Sequence, residues 1–471
     1  MTARERVVVV GAGMAAVRLA ELLGPSASGR SIHVPEADDP KVTLLGDEQH
    51  PPYNRILLSA VLEGTHDPAA IAMAVPEGVD LRLGTRVVEI HREEREVELA
   101  DRSRVPYDRL VLATGSIPTL PPIRGLVRVD GRLDDRVHAF RSLEDCRRLE
   151  GALQGSRAAR PAERAVVVGG GLLGLQVARA LGVRGLDTEV VEGGDHLLRS
   201  QVDAKAGVIL ARDLGRLGTR VYTGARAVRL TEAGLVLDNG YVLETDLVVL
   251  TAGGRPSTAL ARRAGLDVRL GIVVDDLLRT SDPRIHAIGD CAQHGLQVTG
   301  FVPPAWEQAG LLARHLRGEQ IAYAGSRNVA RLRATGLDVA VLGDPEHTEG
   351  EVVEMSNPVT GSHRKLVLRD GVIVAATLVG DLSRIGLITQ HYDRGTVLGR
   401  HEAGALLTAE RTSAPVVLPD DAEICACSGV SAGRIRACTS FDQVRDTTRA
   451  TTGCGGCATA VRELLREGAL V

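Results

Sequence analysis

Ala165-Val166-Val167-Val168-Gly169-Gly170-Gly171-Leu172-Leu173-Gly174 reads as a short apolar strand, a glycine turn and the start of a helix that continues through Arg179 and Ala180. The spacing Gly169-x-Gly171-x-x-Gly174 has a geometric reason. The first glycine permits a tight turn, the second lets a pyrophosphate approach the backbone, and the third lets helix and strand pack closely. The helix N-terminus then faces the anion. The same design opens the chain, where Val7-Val8-Val9-Val10 leads into Gly11-Ala12-Gly13-Met14-Ala15-Ala16 and an amphipathic stretch from Val17 to Leu23. A single pattern of this kind is a weak signal, because glycine-rich turns also join strands to helices that bind nothing. Two copies, each preceded by a strand and followed by a helix, predict two dinucleotide-binding folds.

An acid at the end of the next strand should hold a ribose hydroxyl. The second copy offers Glu192 in Glu189-Val190-Val191-Glu192; in the first, a polar insertion from Gly24 to Pro40 delays strand Val42-Thr43-Leu44-Leu45, and Glu48 is preferred with Asp47 second. The competing reading of each acid is a solvated strand end. Glu192 also predicts a preference for NADH, since its carboxylate would repel the 2'-phosphate of NADPH. Gly193 and Gly194 offer no positive partner and Asp195 adds negative charge, while Arg199, returned by a helical turn, is the opposing residue. Two such sites suit one bound flavin and one exchanging nicotinamide. The segments Tyr107 to Ala113-Thr114-Gly115 and Asp246 to Pro256 repeat a strand ending in a small-residue turn, as where a chain crosses between two domains. Ile285-His286-Ala287-Ile288-Gly289-Asp290 is a strand ending in Gly-Asp; Asp290 can serve a ribityl chain, a helix N-cap, or both.

The remaining composition is that of an ordinary globular chain. Its 471 residues suit roughly three domains, and 44% hydrophobic with 25% charged residues is near the globular average. A net charge of -4 supplies no global field for nucleic acid or anionic lipid. Met1 to Arg6 runs straight into the first strand without a signal-peptide pattern, which predicts a cytoplasmic location. The best apolar run, Ala165 to Val183, is broken by Gln176 and Arg179, so no membrane partner is expected.

Five of the seven cysteines lie between Cys425 and Cys457. Cys425-Ala426-Cys427 and Cys454-Gly455-Gly456-Cys457 form two close pairs, a compact set of four thiolates. Such a set can hold a 2Fe-2S cluster or tetrahedral zinc; the single residue inside the first pair favours the cluster, because zinc pairs commonly enclose two to four. Ser440 and Gln443 predict a capping box for a helix through Arg449, and Cys457 precedes a helix from Ala458 to Glu467 ended by Gly468. Helix N-termini near the thiolates would offset their charge. Cys438, at helical spacing from Ile435, is expected in a small core. Cys146, Cys291 and Cys438 form no close pair, which excludes a C-x4-C dithiol reductase and a further four-cysteine 4Fe-4S site. Between Gly325 and Gly380, strands are predicted at Asp338 to Leu342, Lys365 to Leu368 and Val372 to Leu378, and Thr408 to Asp421, with Pro415 and Pro419, reads as a linker.

The order Gly11-x-Gly13, Ala113-Thr114-Gly115, Gly169-x-Gly171-x-x-Gly174 and Gly289-Asp290 resembles the two-dinucleotide-domain flavoprotein reductases. More narrowly, Pro52-Tyr53-Asn54-Arg55-Ile56-Leu57-Leu58-Ser59 and Gly169 to Leu175 resemble the NAD(P)H-nitrite reductase large subunit and, closer still, the electron-transfer subunit of assimilatory nitrate reductase. The segment with Gly429-Val430-Ser431 and Thr452-Gly453-Cys454-Gly455-Gly456-Cys457 resembles bacterioferritin-associated ferredoxin domains, with a shorter intercysteine segment. The resemblance covers essentially the whole chain. It implies an α/β protein with two Rossmann-like dinucleotide-binding domains of glutathione-reductase type, FAD in 1–117 and 252–320 and NAD(P)H in 118–251. A small α+β domain at 321–405, a linker at 406–420 and a helical iron-sulfur domain at 421–471 follow.

The cofactor-binding residues so assigned are Gly11, Gly13, Ala16, Glu48, Arg55, Ala113, Thr114, Gly115, Gly289 and Asp290 for FAD, and Gly169, Gly171, Gly174 and Glu192 for the nicotinamide coenzyme. Cys425, Cys427, Cys454 and Cys457 are the metal ligands. Gln176 stands where relatives usually carry Glu. Electrons are expected to run from NADH to FAD to 2Fe-2S and on to a separate acceptor protein, by resemblance the catalytic subunit of assimilatory nitrate reductase. No catalytic side chain is assigned, because hydride transfer belongs to the cofactors. The rivals are a ferredoxin-type reductase serving another acceptor and a redox-sensing interaction protein with structural zinc.

Overall fold

The computed structural model describes residues 4–24, 40–155, 161–327, 329–408, 418–425, 428–453 and 457–468. It contains two compact units, Met1–Arg55 with Pro68–Ile117 and Gly254–Ser326, and Ile56–Asp67 with Pro118–Gly253 and Arg327–Val471. The segment Ile56–Asp67, expected in the first dinucleotide domain, thus belongs to the second unit. There Arg184 Nη1 donates to the Leu62 carbonyl of helix Leu58–Glu63 at 3.0 Å. No described helix is long and apolar enough to cross a membrane.

In the first unit, strand Arg6–Val10 lies at the centre of a five-stranded sheet, with Lys41–Leu45 and Asp80–Arg82 on one side and Arg109–Leu112 and Ile285–Ala287 on the other. Every pairing is parallel. Val7, Val8, Val9 and Val10 are all buried, which is why the strand is an unbroken apolar run: a parallel sheet is covered on both faces. Each such side chain contributes roughly 1.5–3 kcal/mol. Val10 is level with both Leu45 and Leu112, so the glycine turn emerges at the carboxyl ends of three strands together, where ligands of open α/β sheets bind. Helix Met14–Leu23 packs back through Ala16, Leu19, Ala20 and Leu23.

His286, on the edge strand, is completely buried and neither ring nitrogen has a hydrogen-bond partner among the described residues. Burial, with His315, Arg109 and Arg279 nearby and only Asp275 opposing them, pulls its pKa down from 6.5 to about 3. Below pH 6.5 the unfolded chain takes up a proton there that the folded chain refuses. The contribution to stability is therefore complete above that value and is lost as pH falls toward 3, at up to about 1.4 kcal/mol per pH unit. His286→Leu is expected to reduce the acid sensitivity of thermal unfolding, the difference from the parent growing between pH 7 and pH 5. A difference independent of pH would refute this.

The second unit repeats the design in the order Arg220–Thr223, Asp187–Glu192, Arg164–Val168, Leu247–Leu250 and Val137–Ala139, again all parallel. Downstream lies an antiparallel sheet of Val329–Ala334, Leu337–Leu342, Val372–Val379, Ser362–Arg369 and Glu351–Asn357. Three of these strands contain the predicted ones. The other two were not predicted, and Glu351–Asn357 is exposed along almost its whole length, so it carries no apolar alternation to find. Helices Ile385–Arg394 and Glu402–Leu407 follow, the second ending at Leu406 and Leu407, where the linker was expected to start. Residues 409–417 of that linker lie outside the described residues, as do residues 25–39 of the polar insertion.

Candidate functional site

In the first fold Gly11 has φ +115°, and a Cβ there would lie 2.3 Å from the Ala113 carbonyl oxygen. The glycine turn and the Ala113-Thr114-Gly115 turn are therefore pressed together, and only glycine fits. Gly13 is the opposite case: a Cβ would meet nothing within 4 Å, which leaves its backbone approachable from outside. Ala16 is fully buried. The second turn is tied down by Thr114 Oγ1, which donates to the Ser257 carbonyl at 2.8 Å, and by the Ser257 N–H, which donates to the Gly115 carbonyl at 2.9 Å. The Gly289 N–H donates to Gln308 Oε1 at 2.7 Å, and Asp290 Oδ2 accepts from Ser116 Oγ at 3.0 Å. The next long helix, Val302–Leu316, has Phe301 at its N-cap, so Asp290 is not that helix's cap.

Glu48 is not a free strand-end acid. Its Oε2 accepts from the Tyr53 hydroxyl at 2.7 Å and its Oε1 pairs with the Arg55 guanidinium, which also lies over the Tyr53 ring, 5.2 Å from its centroid. Burial works against the Arg55 charge, but Tyr53, Glu48 and Asp290 outweigh it and raise the pKa above the ordinary arginine value. Arg55 is thus acted on both by Glu48, close to it in sequence, and by Asp290, far from it; Tyr53 bonds Glu48, Ser116 bonds Asp290, and Gln308 holds the neighbouring Gly289 N–H. Sequence reasoning missed these three; only Tyr53, inside Pro52-Tyr53-Asn54-Arg55, had a signal that could have found it. Asp47 is exposed.

In the second fold Gly169 has φ +117°, with a Cβ position 2.7 Å from the Thr251 carbonyl oxygen, and Gly171 again has nothing within 4 Å. Gly174 is the tightest: a Cβ would lie 1.9 Å from the Gly169 carbonyl oxygen and 2.9 Å from Thr251 Oγ1. Gln176 is buried on the helix that follows. Glu192 accepts the Gly170 N–H on Oε2 and the Gly194 N–H on Oε1, each at 2.7 Å. Arg199, named as the opposing residue, does return to this strand end, and a further arginine that the sequence did not point to lies near it. Arg199 Nε stands 3.5 Å from Glu192 Oε1, and the Arg226 side chain lies across Gly193.

At the C-terminal end, Cys425 closes strand Glu423–Cys425, which pairs with Val430–Ser431, and both Cys425 and Cys457 are buried. Cys427 and Cys454 lie outside the described residues. Cys457 Sγ accepts the Thr451 N–H at 3.2 Å, and the Cys457 carbonyl accepts the Val461 N–H at 2.8 Å. The sulfur therefore sits at the N-terminus of helix Ala458–Gly468, where negative charge is favoured. Ser440 caps helix Phe441–Thr448 through the Gln443 N–H at 3.1 Å, but Gln443 Oε1 accepts from the Thr439 N–H at 2.7 Å, which replaces the reciprocal half of the expected box. Cys438 is half-buried, donating to the Arg434 carbonyl at 3.5 Å.

Two parallel-sheet folds that each open on a glycine turn, followed by an antiparallel sheet domain, define the class of flavin- and pyridine-nucleotide-dependent reductases. The chain belongs to the pyridine nucleotide-disulphide oxidoreductase family, whose pattern matches residues 5–309. Residues 329–395 match the rubredoxin NAD+ reductase C-terminal domain and residues 423–467 the BFD-like 2Fe-2S binding domain. It is an FAD-dependent NAD(P)H oxidoreductase carrying a 2Fe-2S domain. Among its relatives are the nitrite reductase (NAD(P)H) of Bacillus subtilis (strain 168), 34% identical over 98% of this chain and 58% of the relative. The assimilatory nitrate reductase electron transfer subunit of the same organism is 31% identical over 98% of this chain and 60% of the relative. The chain thus spans less than two thirds of either. A ferredoxin reductase crystal structure from Rhodopseudomonas palustris is similar with a TM-score of 0.72 and 26% identity, covering 84% of this chain and 96% of that one.

Proposed function

We propose that the chain takes electrons from NAD(P)H, NADH being the coenzyme expected from Glu192, and delivers them through FAD and the 2Fe-2S cluster to a separate acceptor protein. That acceptor is the catalytic subunit of an assimilatory nitrate reductase, and the location is cytoplasmic. The observation that carries the reading is the joining, in one chain, of two glycine-turn folds to a module with Cys425 and Cys457 buried, without a close cysteine pair left over for disulfide chemistry. FAD would occupy 1–117 with 252–320, NAD(P)H 118–251, and the cluster 421–471.

The residues present fit these groups. The open faces of Gly13 and Gly171 admit a pyrophosphate where a side chain would block it. Gly11, Ala16, Ala113, Thr114, Gly115 and Gly289 shape the first cradle, and Gly169 and Gly174 the second. Asp290 and Glu48 present carboxylates to hydroxyl groups, and Arg55 holds a permanent positive charge beside them. Cys425, Cys427, Cys454 and Cys457 supply four thiolates. Bound at these residues, FAD would supply hydride acceptance and one-electron release, the chemistry that joins a nicotinamide to an iron-sulfur cluster. The chain's own work is to orient these groups and exclude water.

Protein purified without oxygen is expected to contain about two irons per chain with acid-labile sulfide, and to show a spin-half signal after dithionite. Stoichiometric zinc without iron would overturn the cluster. The acceptor is tested by nitrate-dependent NADH oxidation on mixing with a molybdenum-containing nitrate reductase catalytic subunit. No acceleration there, with rapid reduction of another redox protein, would favour the ferredoxin-type reductase.

A further inference from the structure

The first unit also carries a small antiparallel sheet of Val87–His91, Glu96–Leu99 and Arg104–Pro106. Val87 pairs with Leu99 and Glu89 with Glu98, so Val88 is an extra residue on its strand, a β-bulge. Its carbonyl accepts from Arg263 Nη2 at 3.0 Å, which holds the bulge in place. Strand alternation sets what lies beyond it. Without the extra residue Glu89 would share the inward face of Val87. With it, Ile90 turns inward, where Ile90, Val97 and Val105 are all buried, and Glu89, His91 and Glu98 share the opposite face. Glu89 and Glu98 are then directly opposite one another, and two like charges in that relation are destabilising by themselves. His91 stands beside them, its Nε2 3.1 Å from Glu98 Oε2, and the side chains of that pair are only 20% and 19% exposed. One ligand atom from each of Glu89, His91 and Glu98 lies within 4.8 Å of both others. Arg104, opposite Glu98 on the third strand, stands 3.5 Å from Glu98 and 3.4 Å from Glu96. Both are long contacts, and the Arg104 side chain is 47% exposed.

We propose that Glu89, His91 and Glu98 form a surface site for a divalent transition-metal cation of the zinc class, sharing no residue with the cysteine module or with either glycine turn. The site does not depend on which nucleotide each fold binds. Three protein ligands with a fourth position open to water make a zinc coordination set. One imidazole with two carboxylates suits zinc, whereas magnesium demands an octahedron of oxygens. Ligand atoms about 2.0–2.1 Å from a tetrahedral zinc ion stand about 3.3 Å from one another. His91 Nε2 and Glu98 Oε2 are already close to that separation, and the exposed Glu89 has only to swing inward. The cation takes the place of the hydrogen between His91 Nε2 and Glu98, leaving the imidazole proton on Nδ1. It turns the repulsion between Glu89 and Glu98 into a clamp across the two strands. Arg104 gives up Glu98 and keeps Glu96.

The test is calorimetric titration of Zn2+ into tag-free, full-length protein with its flavin and cluster in place, so that the cysteine thiolates are already occupied. One site with a Kd of about 10 µM is expected, and Mg2+ should bind at least about 100-fold more weakly. His91→Ala, Glu89→Gln and Glu98→Gln, all on the solvent face, should each weaken Zn2+ by at least about tenfold. Arg104→Ala removes the competing cation and should bind Zn2+ at least as tightly as the parent. X-ray absorption at the zinc edge should give a nitrogen and oxygen shell at about 2.0–2.1 Å without sulfur at about 2.3 Å. The proposal is overturned by parent protein that binds no Zn2+ at about 100 µM, or by any of the three ligand variants binding like the parent. Equal binding of Mg2+, weaker Zn2+ binding in Arg104→Ala, or a sulfur shell at the zinc edge would overturn it as well.

Discussion

In the Cys457→Ala protein, electron delivery to the acceptor is expected to fall by at least about 100-fold, while NADH still bleaches the bound flavin at close to the parent rate. Cys457 is 5% exposed and accepts a backbone N–H from Thr451 at the start of helix Ala458–Gly468. A helix N-terminus is where negative charge is favoured, and alanine leaves the set one ligand short. Val430, Ile435, Val444, Val461 and Leu464 of the same module are buried, and none of them belongs to either glycine turn. Flavin bleaching, iron content and acceptor reduction measured on the same preparation separate the steps. Loss of FAD together with iron would show that the module is not independent. Cys438→Ala is the control and should keep its iron, since that thiol bonds the Arg434 carbonyl at 3.5 Å.

Gly174→Ala should be nearly as damaging, at the other end of the path. The added methyl would stand 1.9 Å from a backbone carbonyl oxygen, so the helix must retreat from the strand and carry the open face of Gly171 with it. Overpacking of this kind costs typically 1–3 kcal/mol, and displacement of the reacting rings adds a loss of about 100-fold in hydride transfer from NADH. Dithionite, which needs no nucleotide site, should still reduce the flavin. The first fold supplies the contrast: Ala16 occupies the corresponding position with its methyl group fully buried, and Ala16→Gly should change flavin reduction little. Stopped-flow reduction by NADH and by dithionite distinguishes a nucleotide-site defect from general misfolding; equal loss with both reductants would refute the local explanation.

Much of the architecture was legible because its signals are local. A run of valines ending in glycine marks a covered parallel strand and a turn that only glycine fits, and this holds at Val7 to Gly11 and at Val166 to Gly169 alike. The four cysteines were equally plain as two close pairs. Strand Glu351–Asn357 was not legible, because an exposed strand shows no alternation. The second half of the capping box also failed, since Thr439 and Ser440 present adjacent N–H groups and only the folded backbone selects between them.

By itself the sequence determined the two dinucleotide folds, their glycine turns and the cysteine module, because residue type and spacing within a few positions decide turns, helix starts and thiol pairs. Only the tertiary structure decided what the charged side chains face. Glu48 is bound by Tyr53 and Arg55, Asp290 by Ser116, and Glu192 by Gly170, Gly194 and Arg199. Arg226 comes to lie over Gly193 from a different strand connection. The physical reason is range. Backbone preference is set by a residue and its neighbours, whereas an ion pair or a close approach depends on which distant segments the fold brings within a few ångströms.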